Sequence, residues 1–165
     1  MRSGLIKLVE FWALIGGLLL IAIVLVTTTN VTAFALDKAA RLGGGSVSGL
    51  PGYEDFVSLA ISVAALTFFP YCQLRKGHVA VDLFVAKAPV KFRRVLGLMW
   101  LCCAIVAALF LAYWMWVGMF ESRSDASVTP VLGWHDWPFY APGVISLILW
   151  ASVAAMQIAE GDLDG

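Results

Sequence analysis

The sequence has little charge for its length. Of its 165 residues, only 13% are Asp, Glu, Lys or Arg, whereas 61% are hydrophobic and the mean hydropathy is +0.89. Soluble domains contain about 25% charged residues and are about half apolar. The formal net charge is zero, so no basic face is available to bind phosphates. The composition excludes an ordinary soluble domain and a nucleic-acid-binding protein, and it indicates an integral membrane protein.

The sequence also has few residues suited to metal binding or redox chemistry. Its two histidines, His78 and His135, fall in loops predicted on opposite sides of the membrane, so they cannot share a metal ion or a haem. Its three cysteines, Cys72, Cys102 and Cys103, form no C-x-x-C pair and lie within hydrophobic runs, which is typical of packed thiols. We therefore predict no catalytic group, no metal and no cofactor.

Four uncharged runs are long enough to cross a bilayer. They comprise residues 11–36, 56–74, 95–120 and 137–159. A membrane-spanning helix needs about 17–25 predominantly apolar residues, and a helix satisfies its backbone polar groups internally, as lipid requires. The sequence therefore predicts an all-α integral membrane protein with four transmembrane helices in a single membrane domain over residues 1–165.

One or two further segments are predicted to lie in the membrane interface. In residues 79–92, apolar side chains recur at helical spacing while charged side chains occupy the other faces. This pattern is typical of a short helix lying on the lipid headgroups. Residues 3–12 are predicted to form a second arm of this kind, in which Lys7 and Glu10 make an ion pair at the interface.

The distribution of cations predicts the orientation of the chain. With four spans, both termini and the 75–94 loop share one side of the membrane, and that side carries eight of the eleven Lys and Arg residues. The eight are Arg2, Lys7, Arg75, Lys76, Lys87, Lys91, Arg93 and Arg94. The positive-inside rule then places both termini and the 75–94 loop in the cytoplasm.

The middle of each run lacks ionisable residues. A charge at the bilayer centre costs about 2.5–3.5 kcal/mol on insertion scales, so proteins retain one there mainly for transport or proton transfer. The polar residues lie at the ends of the runs instead, as in the stretch RKGHVAVDLF of residues 75–84. Such a distribution indicates a scaffold or accessory subunit rather than a carrier that works alone.

Two polar features inside or beside the spans have competing explanations. Glu54 and Asp55 open the second run, where they either complement the helix dipole or contact a partner subunit. The stretch TTTN of residues 27–30 places hydroxyl and amide groups at the end of the first run, and we expect these groups to pack against another helix rather than to line a transport pathway.

An acidic pair opens the second span and is followed, about twenty residues later, by the pattern Arg-x-Gly-His-Val-x-Val-Asp. The residues are Glu54, Asp55, Arg75, Gly77, His78, Val79, Val81 and Asp82. With these motifs, residues 52–84 resemble the small membrane subunit (DctQ-like) of tripartite ATP-independent periplasmic (TRAP) transporters. The four-span layout and the chain length match the family over essentially the whole protein. The family often has Trp-x-Glu-Glu before the second span, whereas this chain has Gly-Tyr-Glu-Asp.

The resemblance implies a function and a set of interface residues. It implies a permease subunit that braces a large membrane subunit (DctM-like), takes up an organic acid with sodium, and works with a periplasmic substrate-binding protein. The implied motif or subunit-interface residues are Glu54, Asp55, Arg75, Gly77, His78 and Asp82. On this reading Gly77 allows a sharp turn, His78 makes a polar contact there, and Asp82 pairs with Arg75, Lys76 or a cation of the partner.

Two other functions remain open from the sequence. One is a small proton-coupled multidrug-type exporter that acts as a homodimer and uses Glu10 as its coupling carboxylate. The other is an enzyme with a membrane thiol or haem centre, which the scarcity of histidines and of paired cysteines does not favour.

Overall fold

Four long helices make up most of the described chain. The computed structural model describes residues 2–76 and 89–161. The helices are α1 (Arg2–Arg41), α2 (Tyr53–Leu74), α3 (Val90–Ser124) and α4 (Tyr140–Ala159), and a 3-10 turn over Trp137–Phe139 leads into α4. All four are long and apolar enough to cross a membrane. The predicted all-α, four-span membrane fold is confirmed.

The helices extend beyond the predicted spans, and they include residues of both predicted interfacial arms. Residues 3–12 are continuous with the first span, because no proline interrupts α1 and the helix runs through. The prediction of a separate N-terminal arm is therefore wrong. The last three positions of the 79–92 segment belong to α3, which begins directly after Pro89. The part of that segment before Pro89 lies outside the described residues.

The helices pack in the order α1, α2, α4, α3. Helix α1 lies against α2, α2 lies against α4, and α4 lies against α3. Helix α4 is consequently the most buried of the four, while α1 and α3 occupy the outer positions. We name the two ends of this assembly by their contents. The terminal end holds the start of α1 and the end of α4, and the loop end holds the 42–52 and 125–136 connections.

Small side chains allow the helices to approach closely. Ala60 and Ala64 of α2 are almost completely buried and pack with Ile23 of α1. Along α3, the buried residues Ala104, Ala108 and Ala112 recur every four positions. Without a hydrophobic driving force inside lipid, helices associate through such close packing of small residues. The spacing of four keeps these alanines on one face of α3.

Hydrogen bonds between α1 and its neighbours show how the long first helix is placed relative to α2. At the terminal end, Arg75 donates to Glu10, and at the loop end the Leu50 backbone N–H donates to Asn30. From position 10 to position 30, α1 rises about 30 Å, which matches the hydrocarbon thickness of a bilayer. Residues 31–41, which we call the α1 projection, rise about 16 Å beyond Asn30.

Candidate functional site at the two ends of helix α2

The structure places the predicted interface residues at opposite ends of α2. Glu54 and Asp55 lie in its first turn at the loop end, whereas Arg75 follows its last residue at the terminal end. About 30 Å of helix separates Asp55 from Arg75, so these side chains do not form one cluster. Gly77, His78 and Asp82 lie outside the described residues. The candidate site is therefore best described as two polar regions, one at each end of α2.

At the loop end, Asp55 holds the connection between α3 and α4. Its Oδ2 atom accepts hydrogen bonds from the backbone N–H groups of Val131 and Leu132, both at 2.8 Å. A carboxylate that accepts two backbone N–H groups makes charge-assisted bonds, which are stronger than neutral ones. Asp55 therefore does more than complement the dipole of α2, since it fixes a loop that is far away in sequence.

Gly52, which precedes α2, allows this loop to approach closely. Its φ of +78° is in the left-handed region, where residues with a side chain are strained. A Cβ atom at this position would also lie 2.6 Å from the side chain of Leu132. Glycine is thus required here both by the backbone conformation and by the contact between the 42–52 and 125–136 connections.

Two side chains of α1 hold the 42–52 connection in the same way. Asn30 is fully buried, and its Oδ1 atom accepts the Leu50 N–H at 2.8 Å. Asp37 accepts the Val47 N–H at 2.9 Å through Oδ1, and its Oδ2 atom accepts a bond from Arg41 at 2.8 Å. The sequence predicts contact with another helix at the end of the first span, whereas Asn30 Oδ1 bonds to a loop residue, Leu50.

Two threonines in and next to the 27–30 stretch form hydrogen bonds within α1 instead. The Thr29 hydroxyl donates to the Leu25 carbonyl, and the Thr32 hydroxyl donates to the Thr28 carbonyl, one turn earlier in α1 in each case. Both side chains are exposed on the helix surface. Because these hydroxyl groups are satisfied within the helix, they can face an apolar environment at little cost.

At the terminal end, an ion pair joins α1 to α2. The Arg75 guanidinium lies 3.2 Å from the Glu10 carboxylate and 5.4 Å from the centre of the Tyr71 ring. The predicted ion pair between Lys7 and Glu10 is therefore wrong, because packing of α2 on α1 brings Arg75 to this carboxylate. The predicted bond from Asp82 to Arg75 or Lys76 involves a residue outside the described part of the chain.

A second ion pair joins the start of α1 to the end of α4. Arg2 lies 3.3 Å from the Glu160 carboxylate, and both side chains are partly exposed. Exposed pairs of this kind contribute about 0–1 kcal/mol to stability. Together with the Glu10–Arg75 pair, this contact fixes the position of α1 relative to α2 and α4 at the terminal end. Its contribution to stability is small.

Between the helices at the terminal end lies a buried amide network that the sequence analysis did not identify. Gln73 of α2 donates from Nε2 to Oε1 of Gln157 in α4 at 2.7 Å, and Gln157 donates back to the Gln73 backbone carbonyl at 3.0 Å. The indole N–H of Trp150 donates to Gln73 Oε1 at 3.1 Å. The only available signal was the occurrence of one glutamine near the end of each of two uncharged runs.

The described residues show no assembled chemical centre. No group of three or more His, Cys, Asp or Glu side chains in residues 2–76 and 89–161 is placed to hold a metal ion.

Cys72 is half-buried, but Cys102 and Cys103 are exposed on α3, so the prediction that these two thiols pack inside the chain is wrong. A cleft of about 450 Å³ at the loop end, between α2, α3 and the 125–136 connection, is lined partly by Asp55 and Tyr140.

Comparison with protein families decides the class of this chain. The family described as the DctQ component of tripartite ATP-independent periplasmic transporters matches residues 45–163. The chain belongs to this family. The match covers α2, α3 and α4 and both connections at the loop end, whereas α1 precedes it. A search of curated proteins finds no match. The DctQ chain is thus a membrane component of a TRAP transporter. Its family consists of transporter subunits and is not a family of enzymes.

Proposed function

We propose that this DctQ chain braces a large membrane subunit in a transporter that takes up an organic acid with sodium, after a periplasmic binding protein delivers the substrate. The observation that carries the proposal is the absence of Asp, Glu, Lys, Arg and His side chains from all four uncharged runs, together with the family. A chain without such groups has little with which to couple ion movement to transport. Its polar side chains hold its own ends together instead.

The contacts of Glu10 argue against the exporter alternative. A coupling carboxylate must take up and release protons in the membrane, where its neighbours hold its pKa near the working pH. Glu10 instead lies where α1 leaves the predicted span and is bonded to Arg75, with 42% of its side chain exposed. This arrangement supports a positioning role for Glu10 at the edge of the membrane.

The proposed orientation follows from the charge distribution. The terminal end carries eight cations and the loop end carries three, so we place both termini in the cytoplasm of the bacterial inner membrane. In this orientation the loop end, with its fixed connections, faces the periplasm and the binding protein. The segment with Arg75, Gly77, His78 and Asp82 then faces the cytoplasm, where we assign it to contacts with the large subunit and with lipid headgroups. Glu54 is assigned to the periplasmic contacts.

Reconstitution of purified components tests the proposal. Liposomes containing this chain alone should show no solute uptake, whereas liposomes with both membrane subunits and the binding protein should accumulate an organic acid when a sodium gradient is applied. Omission of this chain should abolish uptake. Glu10→Gln should retain most of the uptake by the complete system. Proton-driven flux by the chain alone, lost in Glu10→Gln, would refute the proposal in favour of the exporter.

A further inference from the structure

The cleft between α2, α3 and the 125–136 connection, which we call the loop-end cleft, reaches into the depth of the membrane. Its volume is about 450 Å³. On α2 its lining begins at Asp55, in the first turn, and extends to Ser62. These two residues are separated by about 10 Å of helix. Because the second uncharged run begins at residue 56, the cleft extends from the edge of the predicted span into the hydrocarbon region.

Three polar side chains in the lining make no hydrogen bond to any of the described residues. They are the Asp136 carboxylate and the hydroxyl groups of Ser58 and Tyr140. Other polar groups of the lining are bonded within the chain. Asp55 accepts two backbone N–H groups, and the Ser62 hydroxyl donates to the Ser58 carbonyl. The cleft therefore offers one carboxylate and two hydroxyl groups to a ligand.

The charged side chains of the cleft are all acidic. Asp55 and Asp136 line it, and none of the described residues around it is Lys, Arg or His. A charge that leaves water needs an opposite charge or hydrogen bonds to replace its lost hydration. Asp55 has its two backbone N–H groups, whereas Asp136 is half-buried without such partners in the described chain. An ammonium group is the ligand group that complements Asp136.

The rest of the lining suits a phosphate group and an apolar chain. The hydroxyl groups of Ser58 and Tyr140 can each donate a hydrogen bond to a phosphodiester, which has acceptors and no donor. Leu59 and Met115 add apolar surface, and both belong to uncharged runs that cross the membrane. The polar and apolar parts of the lining together match a zwitterionic phospholipid that carries an ammonium group.

We infer that the loop-end cleft binds phosphatidylethanolamine. Its ammonium group bonds to Asp136, its phosphate accepts from the hydroxyl groups of Ser58 and Tyr140, and its acyl chains lie against Leu59 and Met115. The inference goes beyond the proposed function and does not rest on it, because the ligand belongs to the membrane and not to the transported solutes. It also holds for either orientation of the chain in the membrane.

Other occupants complement the loop-end cleft less well. Phosphatidylglycerol has no cationic group and would bring its phosphate to a lining that has carboxylates. The quaternary ammonium group of phosphatidylcholine cannot donate a hydrogen bond to Asp136. A soluble amine would leave the apolar surface of Leu59 and Met115 uncovered. A lysine side chain of a protein partner would pair with Asp136 but would bring no acceptor to Ser58 and Tyr140.

Lipid titration followed by native mass spectrometry tests the inference. The delipidated full chain in detergent is titrated with phosphatidylethanolamine, phosphatidylcholine or phosphatidylglycerol with identical acyl chains. We expect phosphatidylethanolamine to bind about tenfold more tightly than phosphatidylglycerol, with phosphatidylcholine between them. Asp136→Asn should weaken binding of phosphatidylethanolamine about tenfold, because a charge-assisted hydrogen bond is lost. Asp125→Asn is the matched control, since Asp125 is an exposed acid of the same connection and does not line the cleft.

Substitutions of the hydroxyl groups and of the charge sharpen the test. Tyr140→Phe keeps the ring that packs near Gly118 and should weaken binding of phosphatidylethanolamine about threefold. Tyr113→Phe, on the exposed surface of α3, should leave binding unchanged. Asp136→Lys should reverse the preference, so that phosphatidylglycerol binds more tightly than phosphatidylethanolamine. Circular dichroism checks that each variant keeps its helices.

Three results would overturn the inference. The first is equal binding of phosphatidylethanolamine and phosphatidylglycerol by the wild-type chain, or equal losses for Asp136→Asn and Asp125→Asn. The second is displacement of phosphatidylethanolamine by an equal concentration of glycerophosphoethanolamine, which would make a soluble amine the ligand. The third is complete loss of the lipid adduct when the large subunit binds, which would assign the cleft to a side chain of that subunit.

Discussion

The buried polar contact between α2 and α4 is made by two uncharged glutamine side chains, not by an ion pair. An amide both donates and accepts, so Gln73 and Gln157 satisfy each other across α2 and α4, and Trp150 uses the remaining acceptor. A buried ion pair at the same place would have to repay the desolvation of two charges. The amide network fixes the register of α2 against α4 at the terminal end, and its desolvation penalty is smaller than that of an ion pair.

Removal of one glutamine should destabilise the protein because the groups that it bonds are left without partners. Gln73→Leu leaves Gln157 Oε1 and the Trp150 N–H without their partners, which should lower the free energy of unfolding by about 1–3 kcal/mol. Gln157→Leu should act similarly. The double variant should cost less than the sum of the two, because partners lost together leave fewer groups unsatisfied. Unfolding of the purified protein in mixed detergent measures all three.

A control on α4 separates this effect from a general response to leucine. Ser152 lies on the same helix and donates only to the Ile148 carbonyl one turn earlier. Ser152→Leu should change stability by less than about 0.5 kcal/mol. Strictly additive losses for the two glutamine variants would contradict a network in which each amide depends on the other.

At the scale of single residues, sequence analysis identifies which side chains are polar in an apolar setting but not what they contact. The acidic pair at the start of α2 is evident from the sequence, yet Asp55 bonds backbone N–H groups of residues more than seventy positions away. A backbone N–H has no sequence signature. For the same reason the sequence predicts Lys7, one turn away, as the partner of Glu10, whereas the structure pairs Glu10 with Arg75.

At the scale of helices, apolar length predicts the spans but not the full helices. The four predicted runs each lie within the observed helical segments, since a span must bury its backbone polar groups. Helix α1 nevertheless extends beyond its predicted run at both ends, from Arg2 to Arg41, because neither a proline nor a stable cap ends it at residue 11 or 36. Chain that leaves the bilayer can remain helical when tertiary contacts hold it, as Asp37 and Asn30 do at the loop end.

Adjacent glycines in α1 offer a matched test of helix packing. A Cβ atom at Gly16 would overlap the Thr67 side chain of α2, whereas a Cβ atom at Gly17 would meet nothing within 4 Å. Gly16→Ala should force α1 and α2 apart and destabilise the protein by about 1–3 kcal/mol. Gly17→Ala should be neutral or stabilising by up to about 1 kcal/mol, since alanine favours helix more than glycine does.

Thermal unfolding of the two variants in detergent provides the measurement, and the sign of the difference is the informative result. Both substitutions add one methyl group to the same turn of α1, so effects on helix propensity cancel in the comparison. Equal stability of Gly16→Ala and Gly17→Ala would show that α1 does not approach α2 closely at Thr67.

At the scale of the whole molecule, the helix order leaves two outer helices each packed mainly on one side. Helix α4 is enclosed between α2 and α3, whereas the outward surfaces of α1 and α3 remain uncovered within this chain. This arrangement leaves two apolar helix surfaces exposed to lipid or to another membrane protein. It suits a subunit that lies beside another membrane protein and presents fixed loops at one end.

The orientation of the whole molecule can be tested with three matched serine-to-cysteine variants. Ser46 and Ser124 are exposed at the loop end, and Ser3 is exposed at the terminal end. After the three native cysteines are replaced by serine, a membrane-impermeant thiol reagent is applied to intact spheroplasts. Because the terminal end carries eight of the eleven cations, it should be retained in the cytoplasm. Ser46→Cys and Ser124→Cys should therefore be labelled at once, and Ser3→Cys only after the membrane is permeabilised. Labelling of Ser3→Cys alone in intact spheroplasts would invert the orientation and place the fixed loops in the cytoplasm, out of reach of a periplasmic protein.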